Sequence, residues 1–181
     1  MAVHHSSTHT HDAVSRLVSS WSETPAFLCD RHLSIVASNQ LARALSPAFA
    51  EGSNVAQFVF LEPELDRSTS MFDDAVRQVV ALLRDSANDD IEDAALRPSV
   101  EDLAHRSPAF ATAWADQTST VAKFGSAAFS NTRVGRLHLD YVVLRIPDNA
   151  HDRLFAWVPH DAVSTTALER LSALTVDDRS T

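Results

Sequence analysis

The run from Arg136 to Val143 constrains the fold more than any other stretch of this chain. Leu137, Leu139, Tyr141 and Val143 fall on one side of a strict alternation, and Arg136, His138 and Asp140 fall on the other. A period of two is what a half-buried strand requires, because successive side chains point to opposite faces. Pro147-Asp148-Asn149 then supplies turn residues, and Leu154 to Val158 resumes a β-prone run of aliphatic and aromatic residues. Two adjacent antiparallel strands follow, forming one wall of a core.

The residues before this wall set its partners. Residues 1–12 are polar and aperiodic, which predicts an irregular leader whose His4, His5, His9 and His11 lack a fixed coordination geometry. Val14, Leu17, Val18 and Trp21 recur at helical spacing behind Asp12, an acceptable N-cap. Pro25 to Asp30 and Leu33 to Ser38 read as strands joined by a tight turn at Arg31-His32. Asn39 caps a short helix carrying Leu41, Ala42 and Leu45, which Ser46-Pro47 ends. A turn or two of helix spans Asn54 to Leu61.

A longer amphipathic helix follows Ser70-x-x-Asp73, a variant capping box. Phe72, Ala75, Val76, Val79, Val80 and Leu83 form its apolar stripe, and the acidic segment Asn88 to Asp93 ends it. Further helices are expected over Ser99–Ala104 and from Ser107-Pro108, with Phe110 and Trp114 one turn apart. A third strand is placed within Thr118–Ser130, and a last helix over Ala167–Leu174 with Leu168, Leu171 and Leu174. Two strands, a helical block, a three-strand meander and a helix make an α+β layout. The expectation is a PAS-like antiparallel sheet with helices packed on one face.

At 181 residues the chain suits one domain that buries roughly two thirds of its unfolded surface. The boundaries read from the sequence are a leader and lead-in helix at 1–23, one domain over 24–176, and a tail at 177–181. A net charge of −9 without a local basic patch disfavours contact with nucleic acid phosphates. Cys29 is the sole cysteine, so neither an intramolecular disulfide nor a multi-cysteine metal site can form. No apolar run approaches the ~20 residues of a membrane span, and there is no signal-peptide pattern. The composition predicts a cytoplasmic protein.

Four short motifs, in order, also carry a resemblance. Pro25-Ala-Phe-Leu-Cys-Asp30 with Leu33 to Asn39, Phe60-Leu-Glu-Pro63, Ser107-Pro-x-Phe-x-x-x-Trp114 and Val134-Gly-x-Leu-x-Leu-Asp-Tyr141 together resemble the MmyB-like transcription-regulator ligand-binding domain. The resemblance spans about residues 24–172. It implies a PAS-like sensor of a small apolar molecule such as a fatty acid, and it implies no cofactor. It also implies a helix-turn-helix domain ahead of the sensor. The residues before Thr24 are too few for one, which suggests a sensor without its own DNA-binding domain, either naturally so or excised. The chain departs from the family pattern at Ser38, Gln117 and Asn131-Thr132.

Catalytic constellations are sparse. Cys29 and His32 have no third orienting group and point apart, so Cys29 reads as a buried strand residue. His151-Asp152 and His160-Asp161 are sequence neighbours and read as solvated loop pairs. His138 and Asp140 share a strand face, but two ligands do not make a metal centre. An enzyme is not expected. An apolar pocket between helices and sheet is, lined by Phe72, Val76, Phe110, Trp114, Phe124 and Tyr141 from the aromatic set that also includes Phe155 and Trp157. Tyr141 is the leading polar contact for a ligand, and Arg145 is a second candidate for its carboxylate. The competing expectation is a protein-interaction or dimerisation module with a solid core and an exposed apolar patch.

Overall fold

A computed structural model describes residues 3–62, 70–89, 96–116, 118–146 and 149–177. Five strands, β1 (Ala26–Cys29), β2 (Ile35–Ser38), β3 (Phe124–Thr132), β4 (Gly135–Ile146) and β5 (Asn149–Pro159), form one antiparallel sheet. Its spatial order is β2-β1-β5-β4-β3. β4 pairs with both β3 and β5, as its alternation predicts, and Tyr141 lies opposite Gly125 on one side and Trp157 on the other. The helices are α1 (Val3–Ser20), α2 (Gln40–Leu45), α3 (Val55–Leu61), α4 (Ser70–Asp89), α5 (Leu96–Arg106), α6 (Pro108–Ala115) and α7 (Ala162–Asp177). The fold is α+β.

Short polar side chains fix the corners. Asp30 Oδ1 accepts from the N–H groups of His32 and Ser34, both at 2.9 Å, and so closes the turn between β1 and β2. Leu33 sits there at φ 62° with its side chain buried, so burial of the leucine offsets the left-handed backbone. Asn39 does more than cap α2. Its Oδ1 accepts from Ala42 N at 2.9 Å and Ala26 N at 3.2 Å, while Nδ2 donates to Trp21 O and Thr24 O. Ser107 caps α6 through a bond from Phe110 N, with Pro108 at the first helical position.

The front face of the sheet carries the main core. Phe27, Cys29, Ile35, Leu137, Leu139, Tyr141, Val143, Phe155 and Trp157 pack there against residues of α2 to α7. Ala26, Leu28, Leu154 and Ala156, of the opposite parity, form a second cluster with Ala37, Ile146, Val14, Val18 and Trp21. The register shift between β1 and β2 puts Ala37 across from Leu28 and Ile35 across from Cys29. The helical block therefore lies on one face as expected, and α1 covers part of the other.

Several boundaries differ from the sequence-based expectations. Residues 3–12 are helical, not an irregular leader, and Asp12 lies inside α1 instead of capping it. The stretch contains no glycine or proline to stop a helix propagated from the packed Val14–Val18 segment. α4 runs on through Asn88 to Asp89, with the rest of the acidic segment outside the described residues. The side chain of Ser70, and with it the expected capping box, also lies outside the described residues. β5 begins at Asn149, well before Leu154, because polar residues there are carried by pairing with β4. α7 begins at Ala162, where Asp161 Oδ1 accepts from Ser164 N at 2.7 Å.

Candidate functional site

The aromatic seam between the helical block and the front face is the candidate site. Along α4, Val79, Val80, Leu82 and Leu83 are buried, whereas Phe72, Ala75 and Val76 are only half-buried. Gln78 ties the helix to the chain entering β3, exchanging two 2.8 Å bonds with the backbone of Ala122. The helix–sheet packing thus loosens toward the start of α4, beside β3. Phe110 is fully buried, edge-on to Phe60 at 5.0 Å and stacked on Trp114 at 5.5 Å between centroids. Trp114 is half-buried beneath the guanidinium of Arg84, 5.1 Å from its ring.

Two polar groups stand on this face at paired positions of β4 and β5. The Tyr141 ring lies 4.9 Å from that of Trp157. Burial pushes the Tyr141 phenol up, and the charge of Asp74 adds to the effect, so it is a neutral donor at neutral pH. Trp157 Nε1 is buried and has no hydrogen-bond acceptor among the described residues. An orphan donor of that kind costs about 1–3 kcal/mol. Sequence reasoning named Trp157 only as an aromatic, since nothing in a sequence shows whether an indole N–H finds its acceptor.

Two of the seven expected lining residues are elsewhere. Phe124 is 74% exposed and lies on the opposite face of the sheet, opposite Val142. The register places Gly125 across from Tyr141, so the residue before it must face the other way. Arg145 is on the front face, but it pairs with Asp85 of α4 and its side chain is half exposed. Asp85 also pairs with Arg153, a buried arginine directly across from Arg145. Arg153 was overlooked because polar residues hide the start of β5. Its place two residues before Phe155 on the same alternation was the available signal.

The paired histidines and aspartates divide: His160 and Asp161 are exposed in the bend between β5 and α7, as expected, whereas the 151–152 pair lies within β5. Asp152 is buried and lies 3.2 Å from His11 of α1, whereas the side chain of His151 is outside the described residues. His160 lies 3.0 Å from Asp140 on the back face, and Ser126 donates to the same carboxylate at 2.5 Å. Asp140 stands between serine and histidine, so no base addresses the Ser126 hydroxyl. Cys29 donates to Arg153 O at 3.6 Å, and burial drives its thiol far up, leaving it protonated and inert. Among the described residues no three His, Cys, Asp or Glu side chains are arranged to hold a metal ion, and no helix is long and apolar enough to cross a membrane.

A cleft of about 520 Å³ opens at the other end of the molecule, between the β1–β2 turn and α3, α4 and α5. None of the seven expected residues lines it. Its charged wall residues are Asp30 and Asp102, a lining that repels a carboxylate.

Residues 10–171 match the family model of the MmyB-like transcription regulator ligand binding domain. The chain belongs to that family. Among curated proteins none matches it. For a member of the MmyB-like family, the role of a regulator-associated ligand-sensing domain follows.

Proposed function

We propose that this MmyB-like domain senses a fatty acid or a similar apolar acid in the seam formed by Phe72, Val76, Phe110, Trp114 and Tyr141. The orphaned Trp157 N–H carries the reading. The Trp157 ring lies 4.9 Å from that of Tyr141, and a carboxylate that reaches both the indole N–H and the phenol O–H accepts from two neutral donors. The half-buried start of α4 supports the same site, because an acyl chain there covers Phe72 and Val76 without disturbing the packed second half of the helix. Arg145 is a weaker head-group contact than Tyr141, since Asp85 already neutralises it. The net charge of −9 suits a sensor that acts in the cytoplasm and leaves DNA contacts to another part of the regulator.

The test is a calorimetric titration with saturated carboxylates from octanoate to palmitate, alongside mass spectrometry of solvent extracts of the purified protein. Affinity is expected to rise by ~0.8 kcal/mol for each added methylene until the seam is full. Trp114→Ala should abolish binding. Trp157→Phe should weaken binding while raising the stability of the ligand-free protein by about 1 kcal/mol, because it removes the unsatisfied donor. Arg145→Ala should weaken binding less than Trp157→Phe does, since Asp85 already neutralises Arg145. No saturable heat at any chain length, with no lipid in the extracts, would overturn the proposal.

A further inference from the structure

β3 is an edge strand, and its sequence from Phe124 to Thr132, FGSAAFSNT, contains no charge and no proline. Proteins ordinarily guard such edges by shortness, charge, proline or bulges, because outward N–H and C=O groups template another strand. The other edge, β2, is guarded by being four residues long. β3 has nine residues, and its register on β4 is unbroken from Phe124 to Phe129, with an irregularity only between Phe129 and Thr132.

The hydrogen-bond phase identifies which residues face outward. Val143 N donates to Lys123 O at 2.8 Å, so odd-numbered positions of β3 turn their backbone groups toward β4. On the far side of β4, His160 N donates to His138 O at 3.0 Å, which is the complementary phase. Phe124, Ser126 and Ala128 therefore direct their N–H and C=O groups at the open edge. Among the described residues only β4 pairs with β3.

We infer that this edge is a self-association surface, on which two copies join antiparallel about a two-fold axis at Ser126 into one continuous sheet. The inference is independent of the ligand proposed above. In this register Phe124 meets Ala128 of the second copy and Ser126 meets its own counterpart, so every outward donor finds an acceptor. The bulky Phe124, 74% exposed in the single chain, falls beside an alanine. The Ser126 hydroxyl is turned inward to Asp140, and no charged side chain of β3 meets its copy at the axis. The exposed Val142, Leu144 and Val158 lie on the same face as Phe124, where α1 does not reach, and become continuous with the second copy's patch.

Sedimentation equilibrium of the whole chain from about 1 μM to about 1 mM should show a reversible dimer. Ala128→Pro should return it to monomer with the fold intact, since the lost N–H faces away from β4. Cross-linking reads the register directly, because Cys29 is the sole native cysteine and is fully buried. Ser126→Cys should form an intermolecular disulfide, its Cα atoms being ~5.5 Å apart across the axis. Phe124→Cys alone should not, since its copies lie ~14 Å apart, but mixed with Ala128→Cys it should. A monomer throughout with no Ser126→Cys disulfide, or equal cross-linking of Ser126→Cys and Phe124→Cys, would overturn the inference.

Discussion

Gly125 shows how one residue permits the arrangement of its neighbours. A methyl group at this position would lie 2.5 Å from Tyr141 Oη and 2.6 Å from Cζ, so the tyrosine ring occupies the space a side chain would need. Glycine in a strand is entropically unfavourable, but here it admits the ring that packs on Phe155 and Trp157. Gly125→Ala is expected to destabilise the protein by about 2 kcal/mol in urea unfolding. The same substitution in a Tyr141→Leu background should have a smaller effect, because the overlap is gone. Equal penalties in both backgrounds would contradict the steric account.

α1 shows the same dependence at the scale of an element. Its sequence is polar and histidine-rich over the first half, yet the helix reaches the sheet through Val14 and Val18, joined by Trp21 just beyond its end, and closes the back of β1, β2 and β5. Val18 is fully buried, whereas its neighbour Leu17 is exposed. Thermal unfolding should separate them. Val18→Asp is expected to cost about 3 kcal/mol or more by burying an unpaired carboxylate, and Leu17→Asp should stay within about 0.5 kcal/mol of wild type. If both variants unfold like wild type, α1 is not docked on the sheet.

Stability of the whole molecule should depend on pH through carboxylates that the fold holds below their usual range. Bonds from the Ser164 backbone N–H and hydroxyl lower Asp161, and the Ser126 hydroxyl, then His160, lowers Asp140. A carboxylate with a depressed folded value binds fewer protons in the native state than in the unfolded one. Its contribution is present above the ordinary aspartate value of about 3.9 and is lost as pH falls through the folded value. Melting temperatures should therefore fall as pH drops below about 4. Asp161→Asn keeps an oxygen for capping α7 but cannot titrate, so its curve should fall less steeply over the same range, lying below wild type near neutrality and converging on it at low pH. A slope identical to wild type would show that the α7 cap does not contribute.

Local chemistry sufficed for the place of β4 in the sheet, for the caps at Asn39 and Ser107, and for the family. The alternation of Leu137 to Val143 placed β4 between two neighbours, and Asn39 and Ser107 declared the starts of α2 and α6 through side chains that act within a few residues. Those signals are short-range, so they survive in one dimension. Of the expected lining residues, Phe110 and Tyr141 lie in the main core, and Phe72, Val76 and Trp114 pack against it. Phe124 was misplaced because hydrophobicity does not say on which side of a strand a residue falls. Only the pairing of Gly125 with Tyr141 decides that. Arg145 was free to meet a ligand until α4 brought Asp85 across from 60 residues away. Arg153, the unsatisfied Trp157 indole and the open edge of β3 likewise depend on partners distant in sequence, and tertiary structure alone decides which distant groups meet.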